Sequence, residues 1–204
     1  IVRATPAVGD SNGTPDECQP GDCDQNGLLD ACEATYANGL VGQYFRSVCC
    51  GGGNWGERQV VRVDPNINFY WGSGSPDPRM HYEDFTIRWT GTLTTPSVAG
   101  TYTFYAWTDD GVRLWIGNTL VIDFWQASSQ ERSGTITLAA DTKYLIRMEY
   151  FEGGGDAQAV LSWQPPGDVK VVIPTTAFTP LADTNGNNIP DICETDCNHN
   201  GVRD

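Results

Sequence analysis

Across residues 85–164, turn signals interrupt the chain every eight to twelve residues. That spacing leaves no room for a helix of ordinary length. The runs between the turns are rich in Thr, Val, Tyr and Trp, the side chains that fit a pleated surface. The spacing predicts strands near 40–46, 85–94, 101–108, 112–116, 119–124, 134–138, 143–151 and 158–164. Gly117-Asn118 lies between two such runs and reads as a two-residue hairpin turn. In 143–150, Tyr144, Ile146, Met148 and Tyr150 alternate with Lys143, Leu145, Arg147 and Glu149, one apolar and one polar face. Residues 51–80 are rich in Gly and Pro and are expected to form a long loop with little regular structure. No segment carries a helical period, so the expected fold class is all-β, an antiparallel β-sandwich.

Charge divides the chain. Its 204 residues carry a formal net charge of −14. Residues 1–35 and 182–204 hold 12 acidic and two basic side chains, whereas 36–181 hold 14 acidic and ten basic ones. The expected organisation is therefore a near-balanced body, 36–181, between two acidic ends, 1–35 and 182–204. A chain this acidic lacks the basic face that neutralises phosphates, which excludes nucleic acid as a partner. No apolar run reaches the roughly 18 residues of a membrane helix, so no membrane insertion is expected. No basic-and-apolar leader opens the sequence, so its numbering is expected to begin at a processed chain.

The acidic ends carry a spacing that binds cations. Residues 22–33 place oxygen ligands as in a twelve-residue calcium loop: Asp22, Asp24, Asn26, the Leu28 carbonyl, Asp30 and Glu33, with Gly27 at the sharp turn. Four carboxylates in twelve residues repel one another unless a cation lies between them. Residues 183–194 repeat the pattern with Asp183, Asn185, Asn187, the Ile189 carbonyl, Asp191 and Glu194. Asn188 stands where Gly is usual, and Asn tolerates positive φ better than most residues. A third copy runs through Asp196, Asn198, Asn200, the Val202 carbonyl and Asp204, and carries positions 1 to 9. A partial fourth copy uses Asp10, Asn12, the Thr14 carbonyl and Asp16, with Val8 and Gln19 at positions 1 and 12. Too few residues separate the copies for helices, so these are not helix–loop–helix hands. They resemble the tandem calcium repeats of thrombospondin type 3 and the dockerin-like loops of secreted bacterial proteins.

Five of the seven cysteines lie in or beside these loops. Cys18, Cys32 and Cys193 fall at loop position 11, and Cys23 and Cys197 at position 2. The pairings expected from this spacing are Cys18–Cys23 and Cys193–Cys197. Zinc is the rival use of such cysteines, disfavoured by two histidines and an excess of oxygen ligands. Disulfides require an oxidising compartment, hence an extracellular or cell-surface location. Cys32, Cys49 and Cys50 then remain, so one thiol is free or bridges another chain.

Catalysis is not expected. Neither His81 nor His199 sits in a nucleophile-like context. Gly51-Gly52-Gly53 lacks the Lys and the helix of a phosphate loop. Glu149 and Glu152 are spaced as a glycosidase pair might be, but in so acidic a chain they read as solvated surface.

Several motifs in order carry a family resemblance over roughly 39–175. They are Gly39-Leu40-Val41-Gly42-Gln43-Tyr44-Phe45, Phe85-Thr86-Ile87-Arg88-Trp89-Thr90-Gly91, Gly100-Thr101-Tyr102-Thr103-Phe104, and Asp109-Asp110-Gly111-Val112-Arg113-Leu114-Trp115-Ile116 followed by Val121-Ile122-Asp123. Tyr144-Leu145-Ile146-Arg147-Met148-Glu149-Tyr150 and Leu161-Ser162-Trp163 complete them. The chain resembles the protective antigen fourteen-kilodalton domain family, which implies a β-sandwich of the kind found in toxins, adhesins and glycosidase accessory modules. In sugar-binding members two consecutive aspartates, often across a cis peptide, hold a calcium ion that coordinates sugar hydroxyls. Asp109 and Asp110 match that pair. The loop Glu152-Gly153-Gly154-Gly155-Asp156 falls where those members add ligands, without their acidic, Asn-rich sequence, and makes Asp156 a candidate. Trp125 or Trp107 lies near enough in sequence to stack on a sugar ring.

Two functions follow as expectations. One is a non-catalytic extracellular module whose calcium loops join neighbouring copies head to tail into a fibre or layer. The other is a calcium-dependent glycan-binding adhesion module centred on Asp109 and Asp110.

Overall fold

The computed structural model describes residues 38–47 and 54–181. The four terminal loop copies lie outside them, as do Cys18, Cys23, Cys32, Cys49, Cys50, Cys193 and Cys197.

Twelve strands build two antiparallel sheets. In chain order they are β1 Leu40–Arg46, β2 Arg58–Asp64, β3 Asn68–Gly72, β4 Phe85–Thr94, β5 Gly100–Asp109 and β6 Gly111–Ile116. Then come β7 Thr119–Phe124, β8 Gln130–Leu138, β9 Lys143–Glu152, β10 Ala157–Gln164, β11 Val171–Val172 and β12 Phe178–Pro180. The first sheet runs β2-β1-β4-β9-β6-β7, with β12 pairing the end of β4 that β1 leaves open. The second runs β11-β10-β5-β8, with β3 and β11 sharing one edge of β10. The expected antiparallel sandwich is the observed one.

Four strands were not expected: the two-residue β11, the three-residue β12, and β2 and β3. Residues 51–80 hold β2 and β3 rather than a structureless loop. The signal of β2 and β3 is weak because β2, Arg-Gln-Val-Val-Arg-Val-Asp, carries Arg62 and Asp64 at the same parity as the buried Val60, and β3 is five residues long. Each is held by its neighbours, β2 by β1 and β3 by β10.

The sandwich closes over rings. Trp89, Tyr44, Tyr102, Tyr150, Phe85 and Phe104 are fully buried between the sheets. Each contributes roughly 1.5–3 kcal/mol by leaving water. Strand β5 shows the period-2 logic: Tyr102, Phe104, Ala106 and Thr108 point inward, while Trp107 is exposed. The β6–β7 hairpin turns at Gly117-Asn118 as expected, and Gly117 takes the positive φ (+56°) that the first position of such a turn favours.

A buried polar knot ties β1, β2 and β4. The Asp64 carboxylate accepts from Tyr44 Oη (2.5 Å), Trp89 Nε1 (2.7 Å) and Arg62 Nε (2.7 Å). Arg62 also donates to Tyr44 Oη at 2.7 Å. Burial, then the adjacent Asp64 charge, pushes the Tyr44 hydroxyl far above its usual range.

Two acids of β9 are not solvated. Glu149 is 6% exposed and bonded to Arg88 (Nε–Oε1 3.1 Å), and Glu152 is 0% exposed, which corrects the reading of both as surface acids. The two fall on opposite faces of the strand. They therefore cannot flank one bond as a glycosidase pair does.

Candidate functional site

Three connections between the sheets meet at one end of the sandwich. The chain passes from β5 in one sheet to β6 in the other at Asp109-Asp110, from β7 to β8 through 125–129, and from β9 to β10 through 153–156. Each brings polar groups to the same place. The peptide bond between Asp109 and Asp110 is cis, as the resemblance implies. Gly111 follows because a Cβ there would lie 2.2 Å from Phe151 Cε1, on the paired strand β9.

The carboxylates of Asp109, Asp110 and Glu152 form one cluster, their oxygens within 4.8 Å of one another. Backbone amides aim the two buried ones. Ser128 N donates to Asp110 Oδ1 (3.0 Å) and Gly153 N to Asp110 Oδ2 (2.9 Å). Gly154 N donates to Glu152 Oε1 (2.5 Å). The Tyr150 hydroxyl donates to the Asp109 carbonyl and stands 3.2 Å from Glu152 Oε2.

The electrostatics are those of crowded acids. Burial, with the charge of Asp110 next, pushes the Glu152 carboxyl up to about 8. Burial also raises Asp110, and the charge of Asp109 adds to this against the pull of the Gly153 amide. The Tyr150 hydroxyl is raised by burial and by Glu152. A cation among the three oxygens reverses each of these costs. The donor set is all oxygen, which suits a hard ion such as calcium and not zinc.

The expected site residues separate. Asp109 and Asp110 come together. Asp156 is exposed in the β9–β10 turn and is not in the cluster. Trp125 is half-buried, packed edge-on against Phe151 (4.9 Å between centroids), stacked with Trp55 (6.4 Å), and under the Arg113 guanidinium (4.8 Å). It is a packing residue of the first sheet's outer face. Trp107 is 42% exposed and two residues before Asp109. Glu152 is the ligand-type residue that sequence reasoning placed on the surface. Its signal was parity: Ile146, Met148 and Tyr150 point inward, and the same alternation carries Glu152 inward.

Known proteins share this fold. A curated relative, the anti-sigma-I factor RsgI3 of Acetivibrio thermocellus, is 40% identical over 144 residues, 70% of this chain. The chain spans 21% of that relative's length. A solved structure described as an anti-sigma factor domain-containing protein is 40% identical with a TM-score of 0.65, covering 72% of this chain and 50% of its own. The PA14 sugar-binding domain from an RTX adhesin superposes with a TM-score of 0.57 at 20% identity, over 71% of this chain and 99% of its own, and so shares the fold. The PA14 domain profile matches residues 38–177, from the turn before β1 to the turn before β12. With its sheet order, its Asp109-Asp110 corner and these matches, the chain belongs to the PA14 domain family.

Proposed function

We propose that this chain is a non-catalytic, extracellular carbohydrate-binding module. In this reading Asp109, Asp110 and Glu152 hold a calcium ion that sugar hydroxyls complete. One observation carries it: three carboxylates, two of them buried, share a site at a loop-built end of the sandwich. Calcium takes six to eight oxygens. Three carboxylates leave coordination positions that vicinal hydroxyls can fill. The amides of Ser128, Gly153 and Gly154 hold Asp110 and Glu152 in place, so little ordering is left to the moment of binding. The sugar-binding description of the adhesin neighbour is consistent with this use of the fold.

The test is calcium titration calorimetry of the full chain beside glycan-array binding, for wild type and Asp110→Ala. The expected result is one calcium fewer and loss of glycan retention, with the remaining calcium sites still filled. Unchanged stoichiometry and unchanged retention would move the site elsewhere.

The loop spacing at 22–33 and 183–194 supports a second role. Calcium held there orders the acidic ends and joins copies of the chain. The two roles occupy different residues and are compatible.

A further inference from the structure

The outer face of the second sheet holds an exposed aromatic strip that leads to the cation site. Tyr70 on β3 is 70% exposed and Trp107 on β5 is 42% exposed. Register places both on one face. Tyr70 pairs with Gln158, and Gln158 pairs with Asp109 on its other side, so Tyr70, Gln158 and Asp109 form one row across β3, β10 and β5. The next row holds Asn68, Val160 and Trp107. Inward neighbours confirm the parity: Ala106, Thr108, Ala157 and Ala159 are all buried. Asp109 therefore belongs both to the carboxylate cluster and to the end of this strip.

We propose that Tyr70 and Trp107 form a stacking platform for an extended, uncharged, β-1,4-linked polysaccharide chain, continuous with the sugar held at the cation. The inference rests on the cation reading above and adds the substrate class to it. Several observations carry it. The backbone positions of the two residues lie two inter-strand steps of about 4.8 Å and one two-residue step of about 6.7 Å apart, so about 12 Å separates them. One sugar ring cannot cover that distance, whereas a short run of linked rings can. Sugar rings present apolar faces to aromatic rings and hydroxyls to amides, and Gln158 and Asn68 supply amides beside the two rings. A sheet face suits a ribbon-like chain better than a branched or bulky glycan. Charge selects the neutral class. The two rows carry no lysine or arginine to pair the carboxylates of a polyanion, and Glu131 stands opposite Trp107 on β8. Lys170, on the loop before β11, is paired with Glu131 and lies over the Tyr105 ring (4.5 Å).

The test compares oligosaccharides of one linkage, from cellobiose to cellohexaose and from xylobiose to xylohexaose, binding the full chain in calcium. Wild type is expected to bind the hexasaccharide of one series tighter than its disaccharide. In Trp107→Ala and in Tyr70→Ala the hexasaccharide weakens by about tenfold, the loss that truncating a buried-contact aromatic causes. The calcium stoichiometry stays unchanged, which also shows that the variants are folded. Trp107→Phe restores part of the length dependence. Length dependence that survives both alanine variants overturns the platform, and so does tighter binding of polygalacturonate than of either neutral series. Asp110→Ala separates the two readings. If it abolishes disaccharide binding, the cation site is real whatever the platform does. If it leaves every ligand unaffected while Trp107→Ala weakens the hexasaccharide, the platform stands without the cation. Absence of binding by wild type to every member of both series overturns the platform.

Discussion

Glu152 is where burial and charge act most directly on one side chain. Without a cation its carboxyl is raised from 4.5 to about 8, through burial and then the charge of Asp110. The folded state therefore binds its proton more tightly than the unfolded chain does. For an acid shifted this way, stability is present below the unfolded value and is lost as pH rises through the folded one. In chelator, thermal unfolding is expected to show stability falling between about pH 4.5 and pH 8, and Glu152→Gln should flatten that slope. An identical slope in wild type and variant would show that Glu152 does not titrate there. Asp110 makes a second prediction. Asp110→Ala leaves the Ser128 and Gly153 amides without their acceptor. The cost expected is about 1–3 kcal/mol in urea unfolding, in chelator as well as in calcium. A loss seen only in calcium would mean that the amides do not depend on the carboxylate.

Elements are pinned by a few groups of high leverage, and the Asp64 knot is the clearest. Asp64→Ala removes the acceptor of two fully buried donors, Tyr44 Oη and Trp89 Nε1, and of Arg62. It is expected to cost about 2–4 kcal/mol by chemical denaturation, with Asp64→Asn costing less because one acceptor oxygen remains. A change under about 0.5 kcal/mol would show that the knot contributes no net stability. The same element scale shows what the sequence makes legible. The strands expected at 40–46, 85–94 and 119–124 match β1, β4 and β7 at both ends, and each opens directly after a turn-type residue, Gly39, Asp84 and Asn118. Strand β8 begins at Gln130, four residues before its expected start, because Gln-Glu-Arg-Ser is polar and gains its place only by pairing with β5. Strands β2 and β3 were hidden for the same reason. Asp109-Asp110 was legible as a contiguous motif. Glu152 was not, since 42 residues separate it from Asp110 and only the meeting of two corners brings them together. The row linking Tyr70, Gln158 and Asp109 depends on long-range register, which no local pattern encodes.

At the scale of the whole molecule, the charge on the ends and the loop spacing within them make one prediction together. The residues concerned lie outside those described, so the reasoning rests on their sequence. Residues 1–35 and 182–204 hold 12 acidic side chains against Arg3 and Arg203. Such segments repel one another across copies unless cations screen or bridge them. The copy at 8–19 has Val8 and Gln19 in place of acids at positions 1 and 12. A calcium ion bound there would lack two carboxylate ligands, which carboxylates of another copy can supply. A contact between two different surfaces propagates into a filament unless its rotation closes a ring. Calcium is therefore expected to raise the particle size in light scattering, and chelator with reductant to return it to the monomer. Calcium that binds only the folded chain is expected to stabilise it by mass action: at 100 times the dissociation constant a single site adds roughly 2.7 kcal/mol. Asp22→Ala with Asp183→Ala should reduce the size change while leaving binding at Asp109 and Asp110 intact. Asp110→Ala should do the reverse, because its carboxylate belongs to the sandwich and not to the ends. Monomers under every condition would remove the assembly role and leave the sugar site as the module's function. A size change abolished by Asp110→Ala would instead place the joining calcium at the β5–β6 corner.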